Sequence, residues 1–164
     1  MEIRAAIARG WTAPVAEHIG FRVAGIARGR CRVEFEADGR HANPMGTLHG
    51  GVLCDIADAA MGMAYASELA SSESFTTIEL KINFLRPFWT GRLVAEGTVL
   101  RKGRAFGLLQ CRVLDATQNL VAFATATCMT IPAGPDGSMG RPRDPGVRSP
   151  QRQRRVPRTR ARPE

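Results

Sequence analysis

Residues 43–67 read NPMGTLHGGVLCDIADAAMGMAYAS. The stretch opens as a loop, with Asn43, Pro44 and Gly46, and reaches the paired glycines Gly50 and Gly51 directly after His49. From Gly50 to about Ser67 the turn residues give way to Ala, Leu, Ile and Met, which predicts one helix. On a helical projection Val52, Leu53, Ile56, Ala60, Met63 and Ala64 form one face; Cys54, Asp55, Asp58, Met61, Gly62 and Tyr65 share another side. The segment contains no Lys or Arg. A helix with so little to offer water must be wrapped nearly all round. Yet it carries two aspartates, and burying an ionised carboxylate is costly without compensation. Either Asp55 and Asp58 reach water or a partner, or one of them does chemistry.

The flanking sequence supplies the wrapping. Residues 21–28 and 31–37 read as strands, and CRVEFEA (31–37) alternates Val33 and Phe35 with Arg32, Glu34 and Glu36. After the helix, TTIELKINFLRPF (76–88) sets Ile78, Leu80, Ile82 and Phe84 on one face, with Thr77, Glu79, Lys81 and Asn83 on the other. LVAEGTVLR (93–101), AFGLLQCRVLD (105–115) and NLVAFATATCMTI (119–131) follow, with turns at Thr90-Gly91, RKGR (101–104) and Ala116-Thr117-Gln118. Short connections between consecutive strands mean antiparallel pairing. The fold class is therefore α+β, an antiparallel sheet wrapped around a long central helix. Residues 1–19 read as helical, with Ile3, Ile7, Trp11 and Val15 at helical spacing and Pro14 dividing the segment in two.

The chain has 164 residues and a net charge of +8, unevenly spread. Residues 1–132 carry 14 Lys and Arg against 12 acids; residues 133–164 carry 9 Arg against 3 acids. The body, 1–132, reads as one domain. The tail from Ala133, rich in Pro, Gly, Ser and Arg, cannot bury enough apolar surface to offset its ordering entropy and is expected to be disordered. Any nucleic-acid or anionic-lipid binding would belong to this tail, which lacks the interleaved aromatics of a base-stacking surface. No apolar run reaches the ~18–20 residues of a membrane span, and the N-terminus lacks the apolar core of a secretory signal. A cytoplasmic protein is the expectation. Cys31, Cys54, Cys111 and Cys128 form no C-x-x-C pair, so they read as reduced, packed thiols rather than a zinc or redox motif. His18 and His41 have no further ligand at metal spacing.

N-P-x-G-x-x-H-G-G, followed by an aspartate nine residues after the His, resembles the hotdog-fold acyl-CoA thioesterases. The closest resemblance is to the PaaI-like (phenylacetate-pathway) and hydroxybenzoyl-CoA thioesterase group. The strand TTIELKINFLRP, the Thr90-Gly91 turn and the RKGR turn are similar too, so the resemblance spans about residues 15–132. It implies a hotdog domain, no cofactor, and a homodimer or dimer of dimers whose active sites are shared between chains. By the same resemblance, Gly50 offers a backbone N–H to the thioester carbonyl, and Asp58 is nucleophile or general base. Asn43 and Thr77 stand where polar groups orient water or the acid, and His49 where a His supports the loop and the carbonyl site.

Elementary chemistry runs beside this. A helix N-terminus has unpaired N–H groups and partial positive charge, and glycine lets a substrate approach the backbone closely. Such a site suits the oxyanion that forms when a thioester is attacked, and one donor is worth ~3 kcal/mol of barrier. Gly50 and Asp58 are separated by about 12 Å along one helix, whereas catalytic contacts are near ~3 Å. One chain therefore does not easily supply both, but two antiparallel helices across a two-fold axis do.

Plainer roles stand open for each residue: a capped structural carboxylate for Asp58, a structural or interfacial one for Asp55, a loop hydrogen bond for His49, an ordinary strand position for Thr77 and a turn former for Asn43. Arg101, Lys102 and Arg104 read equally as CoA-phosphate ligands or as a solvated hairpin. The rival functions are a hotdog hydratase or dehydratase acting on acyl thioesters, which needs a His–acid pair, and a non-catalytic acyl-CoA-binding or RNA-associated module.

Overall fold

The computed structural model describes residues 13–133. A short helix α1 (Pro14–Ile19) leads into β1 (Phe21–Ala27) and β2 (Arg30–Ala37). A 3-10 turn (Gly39–His41) and the loop 42–49 precede the long helix α2 (Gly50–Ala66). Then come β3 (Glu73–Phe84), β4 (Gly91–Lys102), β5 (Phe106–Asp115) and β6 (Leu120–Pro132). All pairings are antiparallel, in the order β1-β2-β4-β5-β6-β3. The expected α+β architecture is present. The expected first helical half, 1–12, and the tail beyond Ala133 lie outside the described residues.

One face of the sheet packs on α2. Alternate residues of the strands are buried there: Val33 and Phe35 of β2, Leu93 and Ala95 of β4, Leu109, Cys111 and Val113 of β5, and Ala122, Ala124, Ala126 and Cys128 of β6. The helix answers with Leu53, Ile56, Ala57, Ala60, Met61, Ala64 and Tyr65. Fully burying a side chain such as Ile56 or Met61 contributes about 2 kcal/mol. Close approach requires missing side chains on the sheet. A Cβ on Gly97 would lie 2.3 Å from the Ala60 carbonyl oxygen, and one on Gly107 would lie 2.2 Å from Tyr65 Cε2. The Tyr65 hydroxyl is satisfied by Thr130 Oγ1 at 2.7 Å. Met61 and Tyr65, placed by the helical projection beside the aspartates, are fully buried; the sheet curls far enough to cover them, leaving Gly51 and Asp55 exposed.

β3 departs from strict alternation. Thr77 pairs with Cys128 and Glu79 with Thr127, so Ile78 has no partner in the ladder. The bulge inverts the parity of the strand. Phe75 and Thr77 face the helix before it; Leu80, Ile82 and Phe84, opposite Ala126, Ala124 and Ala122, face it afterwards. Ile78, expected on the buried face, is 52% exposed. Thr77, expected with Glu79 and Lys81, turns inward. The helix-free face carries ion pairs instead: Glu34 is held by Arg22, Arg32 and Arg92, and the Arg92 hydrogen bond leads in lowering its pKa. Among the described residues no helix is long and apolar enough to cross a membrane.

Candidate active site

The loop before α2 is strapped at several points. Asn43 N–H donates to the Thr47 carbonyl at 2.7 Å, Leu48 N–H to the Phe88 carbonyl at 2.7 Å, and His49 N–H to the His41 carbonyl at 2.9 Å. The Asn43 carboxamide oxygen takes the N–H groups of Met45 and Thr47, and its nitrogen donates to Thr47 Oγ1 at 2.8 Å. His41 is itself locked: Nδ1 accepts from the Asp38 N–H, Nε2 donates to the Ile19 carbonyl at 3.0 Å, and the ring packs edge-on against Phe35. This loop delivers His49 to the N-cap of α2, where Nδ1 accepts the Gly51 N–H at 2.8 Å. The Val52 N–H goes to the His49 carbonyl at 3.1 Å. The Gly50 N–H has no acceptor among the described residues. It opens beside a cleft of about 360 Å³ lined by Asn43, Thr47, Leu48, Leu53 and the segment Phe84–Phe88.

Asp58 lies two turns further along α2, half-buried. Thr77 Oγ1 donates to its Oδ1 at 3.0 Å, and Cys128 Sγ lies 3.7 Å from the same hydroxyl. No buried side-chain oxygen among the described residues lacks a partner, so the second carboxylate oxygen, which has none there, is reached by solvent. Three positions of α2 lean on the same strand: Gly50 against Phe84, Asp58 against Thr77, and Gly62 against Phe75. That strand, β3, is the sheet edge. Asp58 and Gly50 thus both lie against an edge strand, toward different ends of it.

Residues 45–122 match the model of the thioesterase superfamily. An esterase-named protein of Saccharolobus solfataricus is 33% identical over 110 residues, covering 67% of this chain and 78% of that one. The chain belongs to the thioesterase superfamily. A 1,4-dihydroxy-2-naphthoyl-CoA hydrolase of Listeria monocytogenes is 24% identical over 111 residues, 68% of this chain and 90% of that one. A thioesterase-like, phenylacetic acid degradation-related protein of Ralstonia eutropha superposes with a TM-score of 0.72 at 27% identity, covering 79% of this chain and 99% of that one. The fold of this thioesterase-superfamily chain is the hotdog: six antiparallel strands and one long helix.

The remaining expected residues of this hotdog chain distribute as follows. Arg101, Lys102 and Arg104 lie on or beside the β4–β5 hairpin, where Lys102 Nζ is 3.7 Å from Glu73 and Gly107 touches Tyr65. That is the C-terminal end of α2, about 24 Å along the helix from Gly50. Asp55 is exposed, and its pKa is raised by desolvation and then by the neighbouring Asp58. Cys54 is half-buried; desolvation and both aspartates raise its pKa, so it is a poor nucleophile. Burial pushes the Cys31 and Cys111 thiols up to about 12. Among the described residues no cluster of His, Cys, Asp or Glu is arranged to hold a metal. Phe84 is the residue that sequence reasoning did not assign to the site: its alternation marked it as core, yet it is 55% exposed and its Cζ lies 2.9 Å from where a Gly50 Cβ would stand. The glycine pair was the available signal, since it leaves room for a ring.

Proposed function

We propose that this protein hydrolyses acyl-CoA thioesters at two sites shared across a homodimer. The observation that carries the reading is the uncommitted Gly50 N–H at the N-terminus of α2, beside a cleft whose lining mixes Asn43, Thr47 and Arg86 with Leu48, Leu53 and Phe84. A thioester carbonyl accepting that N–H would have its developing negative charge stabilised by the donor and by the helix dipole. Asn43, on the same lining, presents its remaining amide hydrogen as the second candidate donor. His49 caps the helix through Nδ1, so in the neutral ring Nε2 carries the proton. It holds Gly50 in place and is a donor rather than a base, which argues against a hydratase's His–acid pair.

The acid in this reading is Asp58 of the partner subunit. A second copy pairing along the free edge of β3 would bring two α2 helices side by side and antiparallel, with each Gly50 opposite the partner's Asp58. Thr77 fixes one carboxylate oxygen, leaving the other to take a proton from water as the hydroxyl oxygen adds to the carbonyl carbon. The tetrahedral intermediate then expels the CoA thiolate, breaking the C–S bond. A thiol pKa near 8.5 makes this leaving group good without strong acid assistance, and the proton on Asp58 passes to the thiolate. Direct attack by the carboxylate, followed by hydrolysis of the resulting anhydride, uses the same residues. The antiparallel arrangement also carries the Arg101–Arg104 hairpin of one chain toward its partner's cleft, where the cations would meet CoA phosphates. The CoA ester named for the Listeria relative fits this class of substrate.

Complementation tests the reading. Gly50→Val fills the carbonyl site and collides with Phe84; Asp58→Asn removes the base. Each homodimer should be nearly inactive. Mixed dimers formed by dissociation and reassociation hold one doubly damaged site and one intact site. Thiol release should therefore recover to about a quarter of the parent at equal mixing. Confirmed mixed dimers without recovery would place each site within one chain and remove Asp58 from the partner's reaction.

A further inference from the structure

Cys128 takes no part in the chemistry above, yet it is the neighbour of Thr77 across the ladder. Along the helix-facing side of β6, Ala122, Ala124 and Ala126 stand opposite Phe84, Ile82 and Leu80. The row gains hydrogen-bonding atoms only at its end, where Cys128 pairs with Thr77 and Thr130 bonds the Tyr65 hydroxyl. Cys128 is a free thiol with no exposed surface. Its Sγ lies 3.7 Å from Thr77 Oγ1, a reach that sulfur's larger radius allows for a weak hydrogen bond.

The direction of that bond follows from the protons available. Thr77 has one hydroxyl proton, and it goes to Asp58 Oδ1 at 3.0 Å. Toward Cys128 the hydroxyl oxygen is therefore the acceptor. Desolvation leads in raising the thiol's pKa, so the proton stays on sulfur. The three side chains form one line, thiol to hydroxyl to carboxylate, running from β6 through β3 to α2. A hydroxyl that accepts one hydrogen bond donates a stronger one, and a filled lone pair restricts its rotation. We propose that Cys128 is a positioning residue for the acid: its S–H donates to Thr77 Oγ1 and keeps the Thr77 proton aimed at Asp58 Oδ1, a role that rests on the thioesterase reading of this site.

Infrared spectroscopy and kinetics check this separately. The S–H stretching band that disappears in Cys128→Ala belongs to Cys128; Cys128→Ser assigns the same band if the alanine variant does not fold. In Thr77→Val, which keeps the side chain's shape and deletes its oxygen, that band should move to higher frequency, as a thiol without an acceptor requires. An unmoved band would overturn the proposal whatever the activity. Turnover is then measured on the best cleaved of phenylacetyl-, hydroxybenzoyl-, hexanoyl- and palmitoyl-CoA. Cys128→Ala should lower kcat about threefold, as for loss of a weak donor, with KM within about twofold of the parent. That loss should vanish in the Thr77→Val background, because a residue acting through Thr77 has nothing left to orient. Losses that multiply in the double variant would make Cys128 a packing residue and overturn the proposal, as would an unchanged kcat in Cys128→Ala. Either result leaves the thioesterase reading intact. A parent that releases thiol from none of the four esters would sink both.

Discussion

At the residue scale, the second carboxylate in the helix has a physical account. Asp58 is tolerated in a largely buried helix because Thr77 donates to it and solvent reaches its other oxygen. Asp58→Asn should cut turnover by about a hundredfold or more, the scale of a general base, with the fold and oligomer intact; turnover within threefold of the parent would remove it from the mechanism. Thr77→Val deletes the hydroxyl that orients the acid and should lower kcat about tenfold, the order of one net hydrogen bond, while Thr77→Ser restores most of it. Asp55 makes a pH statement. Desolvation and the Asp58 charge raise its folded-state pKa, so its contribution favours the fold below the unfolded carboxyl value and fades as pH rises through the raised value. Asp58→Asn should therefore shift the Asp55 titration, followed by carboxyl NMR, toward lower pH. A titration unmoved by that change would mean desolvation alone sets it.

At the element scale, the bulge in β3 builds the acid's environment. A strand of period two cannot present both Thr77 and Leu80 to the helix; the unpaired Ile78 makes it possible. Deleting Ile78 while the pairing of residues 79–84 is kept should turn Thr77 and Phe75 outward. The Asp58 hydrogen bond and the edge-on packing of Phe75 on Tyr65 would both be lost. The expected outcome is a chain that folds with a melting temperature lower by several degrees and has activity near that of Thr77→Val or below. Full activity in the deletion variant would show that Thr77 does not orient Asp58 during turnover.

At the scale of the whole molecule, the helix and the sheet edge act together. A two-fold axis that sets Gly50 against the partner's Asp58 has residue 54 at its midpoint. Cys54 is half-buried, whereas Cys31, Cys111 and Cys128 are buried. A short bismaleimide should therefore join two chains through Cys54, and Cys54→Ser should abolish the product. Desolvation, and then the neighbouring aspartates, raise the thiol's pKa, so the reaction should quicken as pH rises above neutrality. A confirmed dimer that cannot be joined this way would mean that its helices are not related by that axis.

The sequence by itself determined much of this protein. Period-two alternation in β2 and the absence of any cation between Gly50 and Ser67 sufficed for strands around a helix, because both patterns are local consequences of which faces meet water. The N-P-x-G-x-x-H-G-G loop likewise announced the helix start, and spacing alone separated Gly50 from Asp58. Only the tertiary structure decided which way Thr77 points, since a bulge is set by pairing with β6 and leaves no local signature in TTIEL. Tertiary contact also decided where the loop delivers His49, through the Leu48 N–H bond to the Phe88 carbonyl. Phe84 could be read from alternation only as core. Its place against Gly50 follows from the end of β3 packing on the start of α2, a juxtaposition of residues 34 positions apart in the chain that no local pattern encodes.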